Sequence, residues 1–282
     1  MESKIRLSIT IDEDLAKRID NTVDGLKIRN RSHAIEYLLT KSLLLNKIKK
    51  AFILAGGKGT RLRPFTYEMP KPLIPIQGRP LLEHTIMILR EQDVRDIIIS
   101  LGYKGEKVKE YFGNGSRFGV NITYVEESEP LGTGGPLLLA RPYLNEPFFM
   151  INGDNLFDID LQDIYRFHLK NNDMITIALT TVSDPSSYGV AEMKGAKIVS
   201  FVEKPKKEDA PSNLINAGVY VIDPSIFSIL PEKGAFKIEV ETFPKVAEMK
   251  KLGGYHFHGQ WFPTDNQERY EEAIKGWKKH KP

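Results

Sequence analysis

The chain has 282 residues, 41% of them hydrophobic and 10% aromatic, with no cysteine and a net charge of +3. This composition describes a folded protein long enough for one large domain and a small module, and it excludes disulfide scaffolds and thiolate chemistry. No apolar run approaches the ~20 residues of a membrane span, and the chain begins charged, without a signal-peptide core, so a soluble, cytoplasmic protein with no membrane partner is expected. The charge is uneven: residues 1–50 carry net +4 and the remainder net −1.

Residues 4–11 alternate, with Ile5, Leu7, Ile9 and Ile11 on one face and Arg6, Ser8 and Thr10 on the other, which predicts a strand. Asp12 is placed to cap a helix carrying Leu15, Ile19, Val23 and Leu26. After Gly25, Ser32 is placed to cap a second helix with an apolar stripe of Ala34, Ile35, Leu38, Leu39 and Leu43. About forty residues arranged as strand, helix, helix cannot bury a core alone, so this module is expected to pair with a second copy. The order, with N-R-S-H-A-I-E-Y-L-L at residues 30–39, resembles the ribbon–helix–helix family. The resemblance implies an intertwined homodimer whose ribbon lies in the DNA major groove, with Arg6, Ser8 and Thr10 as its reading face and the backbone around Ser32 as its phosphate clamp. Operator binding and a plain dimerisation clip both stay open. The expected layout is a 1–46 module, a basic linker at 47–50 and a 51–282 domain.

The second domain opens on a strand, Phe52–Ala55, that runs into Gly56, Gly57, Lys58, Gly59, Thr60 and Arg61 and on to Pro70-Lys71-Pro72-Leu73. Glycines after a parallel strand leave backbone N–H groups open to a polyphosphate. Arg61 and Arg63 add forked donors, and Lys71 adds a point charge. The bland alternative is an ordinary tight turn between strand and helix. Further strands are expected at Asp96–Leu101, Ile122–Val125, Phe148–Ile151 and Met174–Val182, and helices at Leu81–Gln92 and Leu161–Asn171. That alternation predicts an α/β fold with a Rossmann-like, doubly wound, mostly parallel sheet and a site at the strand C-terminal ends.

The loops after those strands carry the remaining candidates. Glu127 precedes a second glycine-rich turn, Leu131-Gly132-Thr133-Gly134-Gly135, where a flat nucleobase can approach the backbone and the carboxylate can accept N–H protons from the base edge. Asn152-Gly153-Asp154 puts a carboxylate on a loosened turn, a natural Mg²⁺ ligand. Glu203 beside Lys204 supplies an acceptor for sugar hydroxyls and a cation for a phosphate. His256 and His258 flank Phe257 with no third ligand spaced nearby, and read as structural.

The run G-G-x-G-T-R-L-R-P with P-K-P-L downstream resembles the signature of sugar-1-phosphate nucleotidyltransferases, and E-P-L-G-T-G-G-P-L resembles the GDP-mannose pyrophosphorylases, with Gly134 where alanine is usual. Y-G-V at Tyr188–Val190, V-E-K-P at Val202–Pro205 and N-A-G-x-Y at Asn216–Tyr220 follow in family order, over about residues 50–275. The resemblance implies transfer of a nucleotidyl group from an NTP to a sugar 1-phosphate with Mg²⁺. GTP with mannose 1-phosphate is favoured, and glucose 1-phosphate with UTP, dTTP or CTP stays open. Arg61, Lys71 and Lys204 would be the catalytic cations, and Gly56, Gly57, Gly59, Thr60, Glu127, Gly132, Gly189, Glu203 and Asn216 the substrate contacts. Two departures stand out: Val240 replaces a lysine in I-E-K-E-x-F-P, and Pro263 occupies the place of the second metal ligand. Asp265, in a W-x-P-x-D run similar to that of glucose-1-phosphate cytidylyltransferases, is therefore the second metal candidate beside Asp154. The same departures suit a DNA-binding regulator that uses an inactive transferase domain as a nucleotide-sugar sensor, and that alternative is kept.

Overall fold

The computed structural model describes residues 8–25, 28–45 and 47–278, which divide into two compact units at 1–47 and 48–282. In the first unit, Asp12 caps α1 (Glu13–Asp20) through the Leu15 N–H at 2.8 Å. The second helix, α2 (Arg31–Leu45), is capped by Asn30, whose Oδ1 accepts from the His33 N–H at 2.9 Å. Ser32 is therefore inside the helix and not its cap. Asn30 offers the same acceptor two residues earlier, and Arg31 is anchored there by both carboxylate oxygens of Asp20. Of the strand expected at residues 4–11, residues 8–11 form none, since among the described residues no other strand lies alongside them to supply a ladder, and residues 4–7 lie outside the described residues. Arg6 and Leu26 lie outside the described residues. Among the described residues no helix is long and apolar enough to cross a membrane.

The second unit begins β1 (Lys50–Ala55), α3 (Phe65–Glu68), a small hairpin of β2 (Pro75–Ile76) and β3 (Arg79–Pro80), and α4 (Leu81–Glu91). It continues β4 (Asp96–Leu101), α5 (Gly105–Phe112), β5 (Asn121–Glu126), α6 (Gly135–Ala140), β6 (Phe148–Asn152), β7 (Asn155–Phe157) and α7 (Leu161–Asn171). The last part is β8 (Ile175–Thr181), β9 (Gly189–Lys194), β10 (Lys197–Glu203), β11 (Leu214–Ile222), α8 (Ile238–Glu241), α9 (Phe243–Glu248), β12 (Leu252–His256), β13 (Trp261–Pro263) and α10 (Gln267–Gly276).

Nine strands form one sheet in the order β5-β4-β1-β6-β11-β8-β12-β10-β9. The first four are parallel, as the alternating pattern predicts. From β11 on the sheet is mixed, because β11 and β10 run antiparallel to their neighbours, which departs from a mostly parallel sheet. For β10 the reason is local: only two residues join β9 to β10, and a connection that short can only reverse the chain. Side chains of β1 alternate between two cores, with Ala51 and Ile53 facing α4, α5 and α7, and Phe52 facing α6, α8 and α9. A sheet covered on both faces leaves its strand ends as the free surface for chemistry. The chain builds outward from β1 through β4 and β5 and then returns to β6 on the other side of β1, so the crevice of the switch point opens beyond Ala55 and Asn152.

Away from that crevice, His168 of α7 is buried at 3% exposure against Thr176 (2.9 Å), and burial pulls its pKa from 6.5 down to about 4. As pH falls through 6.5 the unfolded chain binds a proton that the folded chain refuses until about 4, so stability falls across that window. Urea unfolding at pH 6.5 and pH 5 is expected to show a loss of about 1–2 kcal/mol that His168→Gln lacks. Equal slopes in the two proteins would contradict this.

Candidate active site

A cleft of about 850 Å³ lies at the switch point, walled by the β1 loop, the turn after β6 and the glycine-rich turn before α6. That volume suits a nucleotide, since small-molecule sites typically span ~300–1,000 Å³. Gly56, Gly57, Thr60, Lys71, Glu127, Gly132 and Asp154 all line it, having been named from sequence. Gly59 sits just behind, its carbonyl accepting from the Thr66 hydroxyl at 2.9 Å. At Gly56 the backbone passes so close to Glu127 that a Cβ would stand 2.2 Å from Oε1, so any larger residue would push the carboxylate out of its place. Glu127 is held on both oxygens, Oε1 by the Ser100 hydroxyl (2.7 Å) and Oε2 by the Leu131 N–H (3.1 Å). Each oxygen keeps a second lone pair, so the carboxylate is aimed and still able to accept.

The departure at Gly134 has a packing cause. The ring of Phe236 lies against its Cα, and a Cβ there would meet ring carbons at 2.1–2.6 Å. Main-chain bonds from Gly134 N–H to Phe236 O (3.0 Å) and from Phe236 N–H to Leu131 O (3.1 Å) clamp the two loops together. The Thr133 hydroxyl donates to the buried Glu239 carboxylate and accepts from the Ile238 N–H at 3.1 Å. Burial raises Glu239, with the Thr133 bond opposing it. Gly134→Ala, the change toward the usual residue, is expected to destabilise the protein by about 1–3 kcal/mol, read as a lowered thermal midpoint. The same change in a Phe236→Leu background should cost much less; equal losses in both backgrounds would refute the ring as cause. Val240, by contrast, is 52% exposed on α8 and is not among the cleft-lining residues, so the missing lysine takes no charge from the cleft wall.

The acidic edge is assembled by strand pairing. β7 and β13 are antiparallel with Pro263 opposite Asn155, which sets Asp154 opposite Thr264. The Thr264 N–H (3.0 Å) and hydroxyl (2.8 Å) both donate to the Asp154 carbonyl, fixing the turn next to Asp265. Lys71 Nζ bonds Asp154 Oδ2 at 2.9 Å from an almost buried position. Asp265 receives Arg61 on Oδ2 at 2.5 Å and Arg269 on Oδ1 at 2.8 Å. Partial burial pushes Asp265 up, but the Arg269 hydrogen bond and the charges of Arg269, Arg61 and Lys71 outweigh it and leave the carboxyl below its usual range. Each acid thus faces a cation of the phosphate-handling segment, Asp154 the Lys71 ammonium and Asp265 the Arg61 guanidinium.

The third group sits beyond the residues that line the cleft. Gly189 and Glu203 are paired across β9 and β10, and Lys204 follows with its N–H on the Tyr188 carbonyl (2.9 Å) and its ammonium 3.6 Å from Glu203. The Asn216 amide donates to the Tyr220 hydroxyl at 2.8 Å, and its Oδ1 accepts from the Gly218 N–H at 2.9 Å, which fixes the side chain. Asn152 Oδ1 remains buried with no protein donor, an acceptor that sequence reading missed. Arg269 was missed as well; its only signal is an acid and a base four apart at the start of a helix. The rings of His256 and His258 meet edge-to-face at 4.6 Å, and among the described residues no three metal-ligating side chains cluster.

The sequence pattern of the Nucleotidyl transferase family matches residues 50–279. The chain belongs to that family. Among curated relatives, the mannose-1-phosphate guanyltransferase of Yarrowia lipolytica is 40% identical over 75% of this chain and 59% of its own length. That of Saccharomyces cerevisiae is 40% identical over 75% of this chain and 60% of its own. The chain therefore spans about three-fifths of the length of these relatives. Among solved structures, a UDP-glucose pyrophosphorylase complexed with UDP-glucose superposes with a TM-score of 0.71 at 27% identity, covering 81% of this chain and 98% of that one. HddC from Yersinia pseudotuberculosis, complexed with GMP-PN, superposes at 0.70 and 28% identity, covering 82% and 100%. The transferase domain is thus matched along nearly its whole length, whereas the matched family pattern does not reach the first unit.

Proposed function

We propose that the chain transfers a nucleotidyl group from an NTP to a sugar 1-phosphate, releasing pyrophosphate, with GTP and mannose 1-phosphate as the favoured pair. The observation that carries this reading is the cleft-lining pair of Lys71 and Asp154 together with the Arg61–Asp265 pair, which the Thr264 clamp on Asp154 holds one residue away along the chain. Two anions must approach each other there, and paired cations and carboxylates are the means of bringing them together. An oxygen of the sugar phosphate attacks the α-phosphorus, the bond to the β-phosphate oxygen breaks, and pyrophosphate carries that electron pair away. Arg61 stabilises the departing pyrophosphate, and Lys71 and Lys204 the attacking phosphate. Gly56, Gly57, Gly59 and Thr60 receive the polyphosphate, Glu127 and Gly132 the base, and Gly189, Glu203 and Asn216 the sugar. Support for guanine comes from the relatives at 40% identity and from Glu127, whose fixed carboxylate can accept two neighbouring N–H groups.

Asp154 and Asp265 fit a divalent ion, with Mg²⁺ the one we assign. They are the two carboxylates beside the Thr264 clamp, each now facing a side-chain cation, and an ion held by one or two carboxylates takes its other ligands from water and phosphate. When bound, Mg²⁺ screens the phosphate charges and polarises the α-phosphate. The deciding experiment is pyrophosphate release with each NTP and a panel of sugar 1-phosphates. Release that needs both substrates establishes the enzyme; nucleotide-sugar binding without release would favour the sensor reading instead.

For the first unit we propose pairing with a second copy through a ribbon–helix–helix arrangement. Among its described residues Ile19 and Ala34 are buried, while Ile9, Leu15 and Leu39 are exposed at 59%, 41% and 54%, apolar surface that a partner would cover. Sedimentation of the full chain against one lacking residues 1–47 tests this, and a monomer in both would refute it. DNA binding through Arg6, Ser8 and Thr10 is the further reading; Ser8 and Thr10 are exposed. No shift of duplex DNA at low salt would end it.

A further inference from the structure

Arg269 stands where the two halves of the proposed site meet. Its N–H is fixed by the Asn266 cap (2.9 Å), and its guanidinium both bonds Asp265 (2.8 Å) and lies over the Tyr188 ring at 4.6 Å. Tyr188 in turn packs edge-on against Trp261 (5.6 Å), whose indole N–H bonds the carbonyl of Ala217 at 2.9 Å, next to Asn216. The Tyr188 carbonyl takes the N–H of Lys204, a non-glycine residue with φ of +50°. A lysine in that left-handed conformation is unfavourable unless its neighbours hold it there. One unbroken line of contacts therefore runs from Asp265 through Arg269 and Tyr188 to the main chain of Lys204. Arg269 is 21% exposed along this line, whereas Arg61, the other cation on Asp265, is 63% exposed and free to move to a phosphate.

We propose that Arg269 and Tyr188 are positioning residues for the sugar-phosphate half of the site, locking the Lys204 turn to the Asp265 edge. The proposal rests on the transferase reading above. A flat guanidinium that bonds a carboxylate in its plane and stacks an aromatic ring on its face does what an ammonium cannot, so lysine is no substitute. Neither residue lines the nucleotide cleft, so their loss should fall chiefly on the sugar phosphate, with the nucleotide touched only through the carboxylate of Asp265.

The test is calorimetric binding of mannose 1-phosphate and of GTP to the full chain and to Arg269→Met, Arg269→Lys, Tyr188→Leu and the double variant Arg269→Met/Tyr188→Leu. Each single change is expected to weaken mannose 1-phosphate about tenfold while GTP binding stays within twofold. The double variant should be no weaker than the worse single one, as expected for residues acting in one line. Equal losses for both ligands accompanying a lowered thermal midpoint would mean a merely structural role and overturn the proposal. So would unchanged sugar-phosphate binding, full recovery in Arg269→Lys, or multiplicative losses in the double variant. A wild type that binds GTP but no sugar 1-phosphate from a wider panel would overturn the transferase reading, and this inference with it.

Discussion

With Asp154 replaced by alanine, pyrophosphate release is expected to fall about 10²- to 10³-fold while the fold persists. Its carboxylate is 40% exposed at the rim of the cleft, and what holds the turn is its main-chain carbonyl, gripped twice by Thr264, which the substitution leaves in place. The change removes one of the two assigned metal contacts and also strands the Lys71 ammonium, whose side chain is only 11% exposed. Leaving a buried cation without its partner costs about 1–3 kcal/mol. Asp154→Asn separates the two effects, because an amide oxygen still accepts from Lys71 but carries no charge. It should keep the wild-type thermal midpoint and share the alanine variant's rate. A rate within tenfold of wild type in both variants would remove Asp154 from the proposed machinery.

Lys71→Met is the second large effect: turnover should drop about 10²-fold or more, with stability nearly unchanged. Methionine fills the same slot in the short turn Lys71–Leu73, and the carboxylate it leaves unpaired has access to water. Arginine should not rescue, because a forked guanidinium needs more room than a residue 9% exposed possesses. The double variant Asp154→Ala/Lys71→Met should be no slower than Asp154→Ala alone if the pair works as a unit. Single-turnover measurement with saturating NTP checks both statements, and a Lys71→Met enzyme within fivefold of wild type would show the ammonium to be structural.

The strands that build the parallel half, β1, β4, β5 and β6, are legible as short apolar runs bounded by glycine and polar residues, and α4 and α7 as amphipathic stretches. Their order needs no more than alternation of strand and helix. The antiparallel insertion of β11 was not legible in that way. Which neighbour a strand takes depends on pairing across many residues, and nothing in the local pattern of Leu214–Ile222 announces that it will lie between β6 and β8. In the first unit Asn30 and not Ser32 caps α2, and the exposed Asp20–Arg31 pair ties the first residue of that helix to the last of α1, a contact between two helices that no local pattern announces.

The site divides the same way. By itself the sequence determined the β1 loop, the Asn152-Gly153-Asp154 turn and the glycine turn before α6, because each is a stretch of a few residues whose chemistry follows from its own backbone freedom and charge. Only the tertiary structure decided that Asp265 stands beside Asp154 despite Pro263, since that depends on the register of β13 on β7 about 110 residues apart in sequence. It also decided that Gly134 answers to Phe236, and that Arg269 and Tyr188 tie the acidic edge to Lys204. Those contacts are set by how packed elements meet, and no spacing along the chain encodes them.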